Sequence, residues 1–203
     1  MSIFKSKKVE ETIAPVEEWV WVDGYKGTDG FMRCRDTQYE LGDTHNLADG
    51  ETPIECQCGF HLCLNLRDVF AYYPLAHNNR FFKVKALVRK IDVERYYRSD
   101  NGYYRFDNRK LAAKSIIFEE EVSDEELYRV AGITDWSDEH KKLVRSIGID
   151  NARTVINIAE LMNFGYSETF AKFVIESGKY DTAKAVGSQP ELSMDMKAWL
   201  IFK

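Results

Sequence analysis

The sequence lacks any long apolar run and has no excess of positive charge. Its longest apolar stretches, such as 199–202, are far shorter than the roughly 20 residues of a membrane-spanning helix. The lysine-containing start, 1–18, is not followed by the apolar core of a secretory signal. We therefore expect a cytoplasmic protein with no membrane partner. Because the formal net charge is −5, nucleic acid is not expected as a primary partner.

Cysteines are few, and the familiar catalytic motifs are absent. In a reducing cytoplasm the four cysteines are expected to be thiols or metal ligands rather than disulfide partners. The sequence contains no glycine-rich phosphate loop, no HExxH or GxSxG motif and no EF-hand pattern. It therefore carries no complete catalytic signature.

Three regions of the chain differ in composition and in the spacing of their apolar residues. Residues 1–17 mix charges with isolated apolar residues and suggest a tail. Residues 18–128 alternate as strands do, with polar, glycine-containing turns between the apolar stretches. Residues 133–203 consist of short amphipathic stretches separated by glycines. The sequence predicts an α+β fold: a small mixed or antiparallel sheet with one or two short helices, followed by an all-α helical module.

Strands are predicted where apolar residues recur at every second position. In the stretch 80–90, alternate apolar side chains share one face, and 110–122 supplies another strand. An early strand at 19–22 is expected to end in turns at Asp23-Gly24 and Asp29-Gly30. A further strand at 60–65 is expected to lead into a helix at 66–73, capped by Asn65.

Serines and glycines mark the expected helix ends. Ser123, Ser167 and Ser193 precede helical patterns as N-terminal caps do. Four glycines follow short amphipathic stretches, as C-terminal caps do: Gly148, Gly165, Gly178 and Gly187.

Three cysteines and a histidine crowd into eight positions at 56–63. Cys56, Cys58, His61 and Cys63, with Cys34 nearby, have the residue types of a zinc site. Zinc ligands usually come as two separated pairs, and here only one crowded cluster exists, so no metal is predicted. The cysteines are interpreted as small buried apolar residues. A Cys63 nucleophile with His61 as its base stays open as an alternative.

Tyrosines and arginines alternate in the segment 95–105, which we call the Tyr/Arg segment. Such a mixture is typical of protein interfaces, and its rings are also able to stack on bases. The segment is expected to form an edge hairpin that turns at Asn101-Gly102. The predicted binding residues are Arg95, Tyr96, Tyr97, Arg98, Tyr103, Tyr104 and Arg105.

Four motifs together carry a family resemblance. They are "GYKGTDGFMRCRDTQYELGDTH", "CQCGFHLCLNLRDVFAYY", "NRFFKVKALV" and "KLAAKSIIF". Residues 22–128 resemble a domain of unknown function that is common in proteins of bacteriophages and prophages. Asp36-Thr37 departs from the usual glycine-aromatic pair. The resemblance implies the cytoplasm of a bacterial host and brings no established reaction.

A second resemblance concerns the order of three polar residues. Lys26, His61 and a late glutamate, Glu121 within 119–121, resemble the arrangement of the ADP-ribosyltransferases, with lysine where arginine or histidine is usual. This resemblance implies NAD as a cofactor and the three residues as the catalytic set.

Two functions follow as expectations. The first is a non-catalytic phage or prophage accessory protein that binds a host protein complex, as a counter-defence or host-takeover factor, and needs no cofactor. The alternative is an NAD-dependent ADP-ribosyltransferase-like enzyme that modifies a host macromolecule.

Overall fold

The computed structural model describes residues 17–99 and 109–203. Nearly all of the predicted tail therefore lies outside the described residues. So do Tyr103, Tyr104 and Arg105 of the Tyr/Arg segment.

The described chain is a sheet with short helices, followed by a helical region. The strands are β1 Trp19–Thr28, β2 Arg33–Cys34, β3 Thr37–Gln38, β4 Thr44–Asn46, β5 Phe60–Leu62, β6 Arg80–Arg89 and β7 Leu111–Glu121. The helices are α1 Leu66–Val69, α2 Lys90–Ser99, α3 Asp124–Ala131, α4 Asp138–Ile147, α5 Ile149–Asn163, α6 Glu168–Glu176, α7 Tyr180–Gly187 and α8 Met194–Phe202. The predicted α+β class is confirmed. None of the described helices is both long and apolar enough to cross a bilayer.

Three long antiparallel strands form the centre of the sheet, in the order β1-β6-β7. Both β4 and β5 pair with β7, β4 at Ser115–Ile117 and β5 at Leu111–Ala113. The alternation predicted for β6 is confirmed, because its inward side chains, Phe82, Val84, Ala86 and Val88, are almost completely buried.

The strand β1 is longer than the sequence predicts. The turn expected at Asp23-Gly24 is wrong, because Asp23 pairs with Lys85 and Gly24 with Val84 within the β1–β6 ladder. Gly24 serves close packing instead: a Cβ there would lie 2.8 Å from the carbonyl oxygen of Cys63.

Directly after β5 the chain meets β1. The amide of Tyr25 donates to the carbonyl of Cys63 at 2.7 Å, and the amide of Cys63 donates back at 2.9 Å. Because β5 also pairs with β7, the segment 60–63 links β1 to β7. It places His61 beside Lys26.

Two local predictions near the sheet fail for identifiable reasons. The predicted helix 66–73 is only one turn long, and the Asn65 side chain makes no capping bond; its amide group donates to Tyr96 and Asp68. The hairpin predicted at 95–105 is also wrong for its first strand, because residues 90–99 form the helix α2.

The serine caps are confirmed: Ser123, Ser167 and Ser193 each accept a hydrogen bond from the amide three residues on. The C-terminal glycines divide into two kinds. Gly148, Gly165 and Gly178 adopt the positive φ that favours glycine. Gly187 is instead the last residue of α7, where a Cβ would press within 3.0 Å of the Phe164 ring.

The helical region shares a core with the sheet. Cys63 and Phe81 pack in one buried cluster with Ile133, Val144 and Ala152, which belong to the helical region. A separate cluster, which includes Leu161, Val174 and Ile201, holds α5 to α8 together. The predicted division into units at 18–128 and 133–203 stays a prediction.

Candidate functional site

A cavity of about 190 Å³ opens where β1, the turn between β2 and β3, β5 and the start of β7 meet. Its walls combine three kinds of side chain. They are the cations Lys26, Arg35 and Lys110, the thiols Cys34, Cys56 and Cys63, and the tyrosines Tyr25, Tyr72 and Tyr73. His61 completes the polar lining.

Lys26 is the most unusual residue of this cavity because it is a buried amine, only 4% exposed. Its Nζ donates to the carbonyl oxygen of His61 at 2.9 Å and lies 5.3 Å from the centre of the Tyr39 ring. Among the described residues it forms no ion pair with a carboxylate. Burial lowers the pKa of Lys26, and the charge of Arg35 acts in the same direction, against the opposing influence of Cys34 and Cys63.

His61 is held in place through its ring. Its Nε2 accepts a hydrogen bond from the amide of Cys56 at 2.9 Å, so the neutral ring carries its proton on Nδ1. Burial lowers the pKa of His61 to about 4, helped by the charges of Lys26, Lys110 and Arg35. At neutral pH the ring is therefore uncharged, and its Nε2 lone pair is already used to hold the turn at Cys56, whose φ is 65°.

Cys63 is a thiol rather than a thiolate. Burial raises its pKa to about 12, and the charge of Asp68 adds to this effect. A nucleophilic cysteine needs the opposite shift. The interpretation of the cysteines as buried apolar residues holds for Cys63, which is 3% exposed, and is wrong for Cys56, which is exposed.

A metal site is a separate question for this cluster. Across residues 17–99 and 109–203, no three histidine, cysteine or acidic side chains come together in a way that would hold a metal ion.

The cavity is electrostatically positive. None of the described residues that line it is an aspartate or glutamate. The nearby carboxylate of Asp68 is engaged by Arg109 and by the hydroxyl of Tyr96, both at 2.9 Å. Burial lowers the pKa of Lys110, but Cys56, Tyr72 and Glu55 together raise it above its ordinary value. Anionic groups are thus the ligands that this cavity favours.

The structure brings together two of the three predicted catalytic residues. Lys26 and His61 line the same cavity, whereas Glu121 does not. Glu121 lies near the exposed end of β7, where it forms a two-pronged ion pair with Arg80. In the sheet register Lys26 faces Phe82 and Phe82 faces Glu121, which separates the two by two strand spacings, roughly 10 Å.

The predicted binding residues in the described part of the Tyr/Arg segment do not share one environment. Tyr96 is buried, and its hydroxyl donates to the carboxylate of Asp68. Tyr97 is 61% exposed, and the Arg95 side chain is exposed beside Asp92. Of Arg98 only the backbone, within α2, is described. Arg95 and Tyr97 are therefore the ones available at the surface.

Comparison with protein families identifies the part of the chain that holds this cavity. Residues 22–129 match a family described as "Domain of unknown function (DUF7666)". The chain belongs to this family. The match confirms the predicted domain of unknown function and its predicted extent, 22–128. Neither the curated proteins nor the solved structures include a significant match to the chain.

Every lining residue of the cavity, from Tyr25 to Lys110, falls within the DUF7666 domain. The sequence pattern pointed to Lys26 and His61 but not to Arg35 or Lys110, since each is an isolated basic residue in its own stretch. One signal was present: Gly24 and Gly27 flank Lys26, and glycines inside a strand indicate close approach of other groups. A Cβ at Gly27 would lie 2.6 Å from the Tyr73 side chain, which forms a wall of the cavity.

Proposed function

We propose that the DUF7666 domain binds a small molecule carrying a phosphate or carboxylate group in the cavity of Lys26, Arg35 and Lys110. One observation carries the proposal: the cations Arg35 and Lys110 and the buried amine of Lys26 face one cavity, and none of the described residues that line it is an aspartate or glutamate. Gathering positive charges around one partly buried cavity is unfavourable unless an opposite charge compensates. A bound anion supplies that compensation.

The size of the cavity limits the ligand. At about 190 Å³ it is smaller than the roughly 300–1,000 Å³ of pockets that enclose drug-sized molecules. The proposed ligand is therefore a small metabolite. Its anionic group contacts Arg35 and Lys110, and the rest of the molecule lies against Tyr25, Tyr72 and Tyr73.

Calorimetric titration with inorganic phosphate, and separately with acetate, tests this proposal and distinguishes the two anions. Arg35→Ala or Lys110→Ala is expected to weaken binding about tenfold or more, since a hydrogen bond to a charged group contributes roughly 1.5–3 kcal/mol. Arg33→Ala is the matched control, because Arg33 lies in β2, two residues before Arg35, and does not line the cavity. Equal affinity in all three variants, or no heat with either anion, contradicts the proposal.

The NAD-dependent transferase is a narrower form of the same proposal, with one structural feature in its favour. A second cavity, of about 430 Å³, shares Lys110 with the first and is lined by Arg89, Arg95 and Tyr96 together with the acidic residues Glu55 and Asp92. A dinucleotide would extend across Lys110 into both. The catalytic carboxylate of such a transferase would have to be a residue other than Glu121. Titration with NAD and with inorganic phosphate separates the two forms: only NAD binding would be weakened by Arg95→Ala.

The second proposed function is binding to a protein partner. The protein would then be a cytoplasmic phage or prophage accessory protein that contacts a host protein. The phage setting is supported by the motif resemblance alone. The contact surface is supported by exposed side chains: Arg95 and Tyr97 on α2, and Phe173, Met196 and Trp199 on α6 and α8. A pull-down from host lysate is expected to recover one protein with the wild type and to lose it with Tyr97→Ala or Trp199→Ser. Recovery that is unchanged in both variants contradicts the surface.

A further inference from the structure

Lys26 is placed differently from the other buried lysine among the described residues. Lys197 is 5% exposed and donates to the carbonyl of Gly187 at 2.9 Å, much as Lys26 donates to the carbonyl of His61. Lys197, however, lines neither of the two cavities described above, whereas Lys26 lines the first of them together with Arg35 and Lys110. Lys26 therefore combines burial with access to a ligand.

We propose that the Nζ of Lys26 is a reactive amine, which forms an imine with the carbonyl carbon of an aldehyde or ketone that carries a phosphate or carboxylate group. The inference rests on the proposed anion site and names the substrate class for it. Arg35 and Lys110 hold the anionic group, and the cavity limits the substrate to a few carbon atoms.

The surroundings of Lys26 favour the uncharged amine that this reaction needs. Only a neutral amine has the lone pair that attacks a carbonyl carbon. No carboxylate among the described residues holds a proton on Lys26, and its hydrogen-bond partner is a neutral carbonyl. The groups that face it are Cys34, Arg35, His61, Cys63 and the Tyr39 ring. Of these, Cys63 and His61 are uncharged at neutral pH, so neither supplies the negative charge that would retain the proton.

The reaction balances without an added oxidant or reductant. The Nζ lone pair forms a C–N bond to the carbonyl carbon as the C=O π bond breaks, and one proton moves from the nitrogen to the oxygen to give a carbinolamine. The carbinolamine hydroxyl takes up a proton and leaves as water, and the resulting iminium ion returns a proton from its nitrogen to the solvent. The products are an imine and one water molecule. Hydride from cyanoborohydride reduces the imine to a stable secondary amine, which marks the lysine that reacted.

The experiment compares two small aldehydes that differ only in the anion. The full chain is incubated with glycolaldehyde phosphate or with glycolaldehyde, reduced with cyanoborohydride, digested, and mapped by mass spectrometry. We expect modification at Lys26 with the phosphate form, at least tenfold faster than at the exposed Lys85 and at Lys197. Arg35→Ala should slow modification of Lys26 about tenfold, Arg33→Ala should not, and Lys26→Met should remove this product.

The outcomes separate this inference from the anion site. If phosphate binds calorimetrically in an Arg35-dependent way and Lys26 is modified no faster than Lys85, the imine is refuted and the anion site stands. If both aldehydes modify Lys26 equally fast, the reactive amine stands and the anion site is refuted. If phosphate does not bind and Lys26 is not modified, both are refuted.

Discussion

The side chain of Lys26 donates a hydrogen bond to the carbonyl oxygen of His61, 2.9 Å away, although the two residues are 35 positions apart in the chain. The contact exists because the end of β5 meets β1 through the paired backbone bonds of Tyr25 and Cys63. It fixes a buried amine at the wall of a positively charged cavity.

Replacing Lys26 by methionine should change how stability depends on alkaline pH. The folded state lowers the pKa of Lys26 from its ordinary 10.5, so the unfolded chain binds more protons over the interval between the two pKa values. The contribution of Lys26 to wild-type stability should therefore rise with pH towards 10.5, and the difference in stability between the wild type and Lys26→Met should change with pH accordingly. Urea unfolding at several pH values measures the difference. Lys85→Met is the control on an exposed position, and identical pH profiles for wild type and Lys26→Met would count against a strained buried amine.

His61 should contribute a loss of stability in acid. Its pKa falls from 6.5 in the unfolded chain to about 4 in the folded protein, so its contribution is fully present above pH 6.5. That contribution is lost as the pH drops from 6.5 towards 4, because the unfolded chain takes up the proton first. His61→Gln keeps an acceptor for the Cys56 amide and does not titrate, and it should flatten the unfolding profile in this window. A variant that follows the wild-type profile contradicts the assignment.

Tyr96 should matter for stability rather than for a surface contact. Its hydroxyl donates to the buried carboxylate of Asp68, which Arg109 also contacts. Asp68→Ala should lower the free energy of unfolding by about 1–3 kcal/mol, as expected for breaking hydrogen bonds to a buried charged group. Tyr96→Phe should cost about 1 kcal/mol, while Tyr97→Ala should cost less than either. Chemical denaturation measures the free energy of unfolding of each variant. A larger loss of stability in Tyr97→Ala than in Tyr96→Phe or Asp68→Ala would refute the prediction.

Gly27 should tolerate no side chain as long as Tyr73 is present. A Cβ at this position would lie 2.6 Å from the Cβ and Cγ of Tyr73. Overpacking of this kind costs about 1–3 kcal/mol. The double variant Gly27→Ala with Tyr73→Ala should lose less stability than the two single changes summed. Strict additivity would show that the two residues are not in contact.

The fold was more predictable than the site for a physical reason. Strand and cap signals are local: the alternation of Phe82, Val84, Ala86 and Val88, and the serines at positions 123, 167 and 193, depend only on neighbouring residues. Predictions from local sequence patterns failed where contacts with distant parts of the chain determine the structure. Gly24 was expected in a turn and is a strand residue packed against Cys63, and Asn65 was expected as a cap and instead bonds Tyr96.

Only some of the residues that line the cavity could be predicted from the sequence. Lys26 and His61 were expected to act together because their order resembled a known arrangement, and the structure places them side by side. Arg35 and Lys110 come from a short turn and from the residue before β7, and only the three-dimensional path of the chain brings them to Lys26. Glu121 was expected with them, but β7 carries it two strands from Lys26 and into an ion pair with Arg80.

The most direct measurement is a titration of the isotope-labelled chain with inorganic phosphate, followed by amide chemical shifts. The account predicts saturable shifts that cluster at Lys26, Arg35 and Lys110 in the wild type and disappear in Arg35→Ala. An absence of saturable shifts, or shifts confined to α4 to α8, would contradict it.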